Sequence, residues 1–265
     1  WIWSRSWFEN STHWNFDMSY LTNPYMVTAG GLDDSQLKLY AKFNETSGDI
    51  INVSESSDSL GSSADLQVSG ASYNQSESPF GYAMTFDGTN DNAKAGTSTS
   101  QFNFLHDSAT MKWSMCFWAN STGGDGNGII GTVRNGGDIG MIMRLRTGLS
   151  ISFQIKNDDG NVCGSDGAVG YFTSTYRFYV CRYDQTLSVD NWQTLYNGAN
   201  LVDDTKSGTT PNAGDAEFPL TIASQANSTN YNPMGISELS IWNRYLSDSE
   251  IAFLYNSGSG QAIYE

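Results

Sequence analysis

The stretch Met234–Gly258, MGISELSIWNRYLSDSEIAFLYNSG, decides the architecture. Leu239 and Ile241 alternate with Glu238, Ser240 and Trp242, the period-two pattern of a strand with two chemically different faces. A helix follows at once. Ser247 and Glu250 have capping-box spacing, in which a hydroxyl and a carboxylate satisfy orphan backbone N–H groups. Leu246 and Ile251 flank it as a hydrophobic staple, and Gly258 is placed to cap the C-terminus. The stripe Ile251, Leu254 and Tyr255 is apolar and needs a body to rest on. The spacing therefore predicts one strand feeding one short helix, both packed against the rest of the chain.

At 265 residues that rest is long enough to bury roughly 70% or more of its unfolded surface without a covalent staple. The chain carries 28 Asp+Glu against 13 Lys+Arg, a formal charge of −15, which argues against a nucleic-acid groove or an anionic membrane surface as partner. No apolar run approaches the ~18 residues of a membrane span, so membrane insertion is not expected. Charged residues are only 15% and aromatics 13%, a mixture that suits short strands and turns. Cys116, Cys163 and Cys181 form no metal-binding spacing. Cys116 and Cys181 sit in alternating runs and read as small core residues, with a Cys163–Cys181 bridge as the other option.

Residues 1–34 stand apart. Trp1, Trp3, Trp7 and Trp14 put four of the eight tryptophans into fourteen residues without a helical or strand period. Such an arm either folds back on its own domain or acts as an assembly contact with another subunit. The chain opens on Trp1, and we expect a processed secreted or surface protein. From residue 35 onward the pattern is orderly. Leu37, Leu39, Ala41 and Phe43 share one face of a strand. Trp113, Met115, Phe117 and Ala119 alternate with Ser114, Cys116 and Trp118. Met141, Met143 and Leu145 oppose Arg144 and Arg146, and Thr147-Gly148 and Asn197-Gly198 read as hairpin turns. About a dozen short strands and one helix imply an all-β, two-sheet antiparallel sandwich.

SPFGYAMTFDGTND, KWSMCFWAN, YRFYVCRYD, the Asn-Gly hairpin and GISELSIWNRYLSDSEIAFLYNSG occur in the order found in the laminin G-like, concanavalin A-like jelly-roll superfamily. The resemblance covers roughly residues 36–260. It implies two sheets face to face, loops gathered at the rim, and calcium as a possible cofactor there. Where relatives often carry an acidic pair, this chain has Ser237-Glu238.

For calcium the candidates are Asp87 and Asp91 in FDGTND and Asp125 in GGDGN, with Asp158 and Asp159 weaker still; Asp-Gly is first of all a turn signal, and turn formation is the favoured reading of Asp87 and Asp91. A glycosidase needs two carboxylates ~5.5 Å or ~6.5–9.5 Å apart, and no clustered pair is visible, so an enzyme is not expected. If the apolar set points inward, Tyr40, Trp118, Arg144, Arg146 and Trp242 point outward, either as a sugar-stacking platform or as surfaces covered by other parts of the protein. Six sequons, at Asn10, Asn44, Asn52, Asn74, Asn120 and Asn227, suit a glycosylated surface protein. The expectation is a non-catalytic binding or adhesion module for glycan or a surface protein, extracellular, on a cell surface or on a virion. Its rival is a structural subunit of a filament, coat or virion, self-assembling through the arm.

Overall fold

The structure, a computed structural model, describes residues 32–264 apart from 75–77, 108–109, 138, 157–161, 167–171, 189–191 and 205–213. Trp1, Trp3, Trp7, Trp14, Asn10, Asp158 and Asp159, and with them the expected arm, lie outside the described residues. The chain runs through β1 (Leu37–Ala41), β2 (Leu66–Ser69), β3 (Ser72–Asn74), β4 (Ala83–Asp87), β5 (Asn92–Ala95), β6 (Lys112–Ser121), β7 (Gly128–Gly131) and β8 (Gly140–Arg146). It continues through β9 (Ser150–Lys156), β10 (Val162–Asp166), β11 (Arg177–Asp184), β12 (Trp192–Tyr196), β13 (Ala199–Asp204), β14 (Thr221–Ile222) and β15 (Pro233–Trp242) to the helix α1 (Asp248–Tyr255).

Two antiparallel sheets result, as the alternation predicts. One has the order β13-β12-β11-β6-β15-β4-β3, with β1 also paired to β15; the other runs β10-β9-β8-β7-β14-β5-β2. β15 is the spine of the first sheet. It pairs with β6 along one edge, and on the other edge with β4 through Pro233–Ile236 and with β1 through Leu239–Trp242. The inner faces meet in a core that includes Leu39, Trp113, Met115, Phe117, Met143, Leu145, Leu239 and Ile241. Aromatic rings tie the layers together: Trp113 lies 5.3 Å from Phe153 of the opposite sheet and 5.7 Å from Trp192, between ring centroids.

Two bulges interrupt the alternation. The β15–β6 register shifts between Ser237 and Ser240, where Glu238 takes φ 54°, so Ile236 and Leu239, three residues apart, both face inward. The β1–β15 register shifts between Leu37 and Leu39. Leu37 is thereby turned to the outer face, away from Leu39, Ala41 and Phe43, with which the sequence pattern grouped it.

The outer face of the β15 sheet carries a second apolar cluster. Tyr40, Cys116, Trp118, Phe178, Val180 and Trp242 are covered by Leu246, Ile251 and Leu254 of the helical segment and by Ile263 of the tail. Each of Ile251 and Leu254 contributes about 1.5–3 kcal/mol by leaving water. The capping box is present: the Ser247 hydroxyl accepts from Glu250 N–H at 3.3 Å, and Ser247 N–H donates to Glu250 Oε2 at 2.9 Å. The C-terminal cap differs from expectation. Asn256, not Gly258, takes the left-handed cap, at φ 45° and ψ 50°, because asparagine tolerates that conformation better than other side chains bearing a Cβ.

Behind the helix the tail is tied down. Ile263 N–H donates to the Tyr40 hydroxyl at 3.1 Å, Lys42 Nζ to the Tyr264 carbonyl at 2.9 Å, and the Tyr264 hydroxyl to Asp34 at 2.8 Å. Gly260, at φ 71°, sits so close to Phe80 that a Cβ would lie 2.3 Å from its ring. Cys116 and Cys181 are buried free thiols, which removes the Cys163–Cys181 bridge.

Candidate ligand-binding cleft

The five outward residues do not form one exposed platform. Tyr40, Trp118 and Trp242 share the outer face of the β15 sheet but are 1%, 3% and 0% exposed beneath the helix and tail. Arg144 and Arg146 lie on β8, in the other sheet. Arg144 is buried, and Arg146 pairs with Asp125 at 3.6 Å. For Tyr40, Trp118 and Trp242 strand parity gave the face, and it left open both the sheet and the cover.

Trp118 nevertheless leads to a cleft. It forms a cross-strand pair with Phe178 of β11, and the ring of Tyr255, the last residue of α1, lies nearly parallel to both. Centroid distances are 6.1 Å to Trp118 and 6.0 Å to Phe178, at interplanar angles of 17° and 20°. The Asn197-Gly198 turn between β12 and β13 closes the stack. Both residues have positive φ, 49° and 75°, as a two-residue hairpin demands, and a Cβ on Gly198 would lie 3.1 Å from the Tyr255 ring.

Beside this stack opens a cleft of about 370 Å³, lined by Trp118, Tyr176, Arg177, Asn197 and Tyr255, with Ser78 and Thr175 at its margin. Its size lies within the range of small-molecule sites. The polar groups are held by the fold. Arg177 Nε donates to the Tyr196 hydroxyl at 2.9 Å and Nη1 to the Tyr176 carbonyl at 3.3 Å. Asn197 Oδ1 accepts from Phe178 N–H at 3.2 Å, which fixes the orientation of its amide. Tyr176 is buried, with its hydroxyl over Gly235, where a Cβ would stand 2.0 Å away. Aromatic surface beside a guanidinium and a carboxamide is the chemistry that holds a sugar ring and its hydroxyls.

Sequence reading missed Tyr176, Arg177, Asn197 and Tyr255 as a group. Tyr255 was legible only as part of the apolar stripe and Asn197 only as a turn residue, and nothing local shows that they converge with the start of β11. A larger cleft, about 600 Å³, lies by β2 and is lined by Asp49, Ser62, Asp65, Gln67, Ser98 and Gln101 among others. It presents no aromatic ring for stacking.

Among the described residues Glu238 is the most perturbed carboxyl. Burial raises its pKa to about 7, against hydrogen bonds from the Tyr40 and Tyr82 hydroxyls and the charge of Lys42, which all lower it. A shifted carboxyl marks many catalytic sites. Here, however, the adjoining cavity is only about 10 Å³, sealed by Leu254, Gln261 and Ile263, and leaves no room for a substrate. Glu217, the other acid weighed for hydrolysis, is paired with Arg134 at 3.0 Å.

Asp87 and Asp91 build the turn between β4 and β5. Asp91 accepts from Asp87 N–H at 2.9 Å and Asp87 from Thr89 N–H at 2.7 Å; burial raises the pKa of Asp91. Among the described residues no three His, Cys, Asp or Glu side chains gather as a metal site. The sequons divide. Asn52 spends its side chain on Tyr40, Ser54, Lys38 and Gly61, and Asn120 on Ser174 and Gly235. Asn44 is exposed and Asn227 partly so.

Among the described residues no helix is long and apolar enough to cross a membrane. The structure is similar to solved toxin domains. The binding domain of Paraclostridial Mosquitocidal Protein 1 superposes with TM-score 0.62 at 14% identity, covering 84% of this chain and 52% of that one. The binding domain of Botulinum Neurotoxin DC, in complex with SialylT, gives 0.58 at 15%, covering 84% and 52%. Botulinum neurotoxin type C, in a structure whose subject is cell entry dependent on two ganglioside molecules, gives 0.56 at 15%, covering 84% and 51%. The chain thus spans about half the length of these neighbours, and at such identity the likeness concerns the fold. Comparison with curated proteins finds no match. A family model described as the concanavalin A-like lectin/glucanases superfamily matches residues 87–252, more than half of the chain and within the span of the resemblance read from the sequence. By that match, and with the two-sheet sandwich to support it, the chain belongs to the concanavalin A-like lectin/glucanase superfamily.

Proposed function

We propose that this protein is a non-catalytic binding module, displayed outside a cell or on a particle surface, that holds a saccharide in the cleft beside Tyr255. The observation that carries the reading is the Tyr255 ring, stacked on Trp118 and Phe178 and bordering a cleft with a fixed guanidinium and a fixed carboxamide. Family membership supports it, since the superfamily includes lectins. Among the structural neighbours, one botulinum binding domain is in complex with SialylT, another with rat synaptotagmin II, and a third neurotoxin depends on two ganglioside molecules for cell entry, which supports glycan or protein as the class of partner. The non-catalytic part rests on Glu238 being sealed and Glu217 being paired.

The test is a broad glycan array followed by calorimetric titration of the hits, with Tyr255→Ala and Asn197→Ala beside the wild type. Binding that falls at least tenfold in Tyr255→Ala supports the reading. No glycan bound, or equal binding by wild type and variants, overturns it. Calcium at Asp87 and Asp91 is a separate proposal and requires a higher melting temperature in calcium than in chelator. In a glycosylating host we expect modification at Asn44 and Asn227 and none at Asn52 or Asn120, read by peptide mapping.

A further inference from the structure

Among the described residues Arg177, like Lys42 and Lys94, stands outside the ion pairs of this acidic chain, and of these three it alone lines the cleft beside Tyr255. Lys38, Lys112, Arg134, Arg146, Arg182 and Arg244 each face a carboxylate within 4.0 Å. Arg177 has no such counter-ion among the described residues. Its two bonds go to a neutral hydroxyl and a neutral carbonyl, through Nε and Nη1. They hold the guanidinium plane without neutralising it and leave Nη2 with no partner among the described residues. A partly buried cation that lines a cleft, fixed in direction and lacking a counter-ion, is half of a charge-assisted pair. The rest of the lining, Trp118, Tyr176, Asn197, Tyr255 and the hydroxyls of Ser78 and Thr175, carries no charge to supply the other half.

We infer that the saccharide taken by this cleft is anionic, with a carboxylate or a sulfate group on Arg177 while a sugar ring lies against the aromatic wall. The inference rests on the reading of the cleft as a saccharide site and adds the charge of the ligand. Both anions offer oxygens to a guanidinium fork, and the experiment separates them. Because the protein carries −15 overall, the attraction is local: it is to be read at moderate salt, where the distant acidic surface is screened and the close contact persists.

The experiment titrates the full chain at ~0.15 M salt with three probes: a neutral disaccharide, the same disaccharide bearing a uronic acid carboxylate, and the same disaccharide monosulfated. Arg177→Gln and Arg177→Lys are titrated in parallel, with melting curves to establish folding. The inference expects at least a tenfold preference of the wild type for one of the anionic probes over the neutral one. That preference is lost in Arg177→Gln and partly kept in Arg177→Lys, with affinity for the anionic probe falling by a larger factor than affinity for the neutral one. Equal binding of neutral and anionic probes by the wild type overturns the inference and leaves the cleft reading standing. Failure of all three probes counts against both. A preference that survives in folded Arg177→Gln places the anion elsewhere and also overturns it. If Arg177→Gln does not fold, the wild-type comparison and Arg177→Lys decide.

Discussion

The two faces of the β15 sheet are built from the same strands and do different work. The inner face meets a second sheet and is filled with rings and aliphatic chains such as Trp113, Phe117, Met143 and Leu239. The outer face meets an eight-residue helix and a tail, too little to cover it fully. At its margin polar groups enter. Tyr40 and Tyr82 hold Glu238, Arg182 reaches Asp248 and the Leu246 carbonyl, and a cleft opens beside Tyr255. A sheet facing another sheet makes a core, whereas a sheet facing one short helix keeps an edge where a ligand can enter.

The largest effect should come from the inner face. Trp113→Ala removes a ring in contact with Phe153, Tyr183 and Trp192 and should cost about 3–5 kcal/mol in urea unfolding. A loss below about 1 kcal/mol would mean that the two sheets are not locked through this ring.

Next comes Glu238 on the outer face. Its folded pKa, about 7, lies above the ordinary 4.5, so the folded state favours the protonated form. The stability that Glu238 contributes is full below about pH 4.5 and is lost as pH rises to about 7. Tyr40, Tyr82 and Lys42 surround it in the folded protein. Glu238→Gln removes the titration, so the variant should gain on the wild type between pH 4.5 and 7.5 by on the order of 2–3 kcal/mol, and level off above. A difference that stays flat with pH would show that the outer face does not bury this carboxyl.

Smallest in stability is Tyr255→Ala, which trims a partly exposed ring stack and should cost about 1–2 kcal/mol. Its binding loss should exceed anything Trp113→Phe does. If instead both variants lower binding only in proportion to their unfolding, the contrast between the faces has no functional meaning.

Much of this was legible in the chain. The alternation in KWSMCFWAN assigned Trp113, Met115, Phe117 and Ala119 to the core and Trp118 to the other face, because a side chain on a strand has only two directions. Ser247 and Glu250 announced the helix start, since their partners lie within one turn. The bulges at Leu37 and Glu238 were not legible. They hold backbone in conformations that only the neighbouring strands impose, and no glycine marks them. The cleft was not legible either. Trp118, Arg177, Asn197 and Tyr255 come from β6, β11, a hairpin turn and the helix end, and only tertiary packing brings them together. Arg144 and Trp242 look equivalent in sequence, outward residues both, yet they lie on different sheets.

The central claim is that ligand enters at the outer-face margin that Met234–Gly258 helps to build. Chemical-shift mapping of the labelled chain, titrated with its best glycan-array hit, tests it directly. The account predicts saturable shifts at the Trp118 indole, the Arg177 Nε–H and the Asn197 side-chain amide, with the Gln67 and Gln101 amides of the polar cleft near β2 unmoved. Shifts confined to Gln67, Gln101 and their neighbours, with Trp118, Arg177 and Asn197 silent, would contradict it.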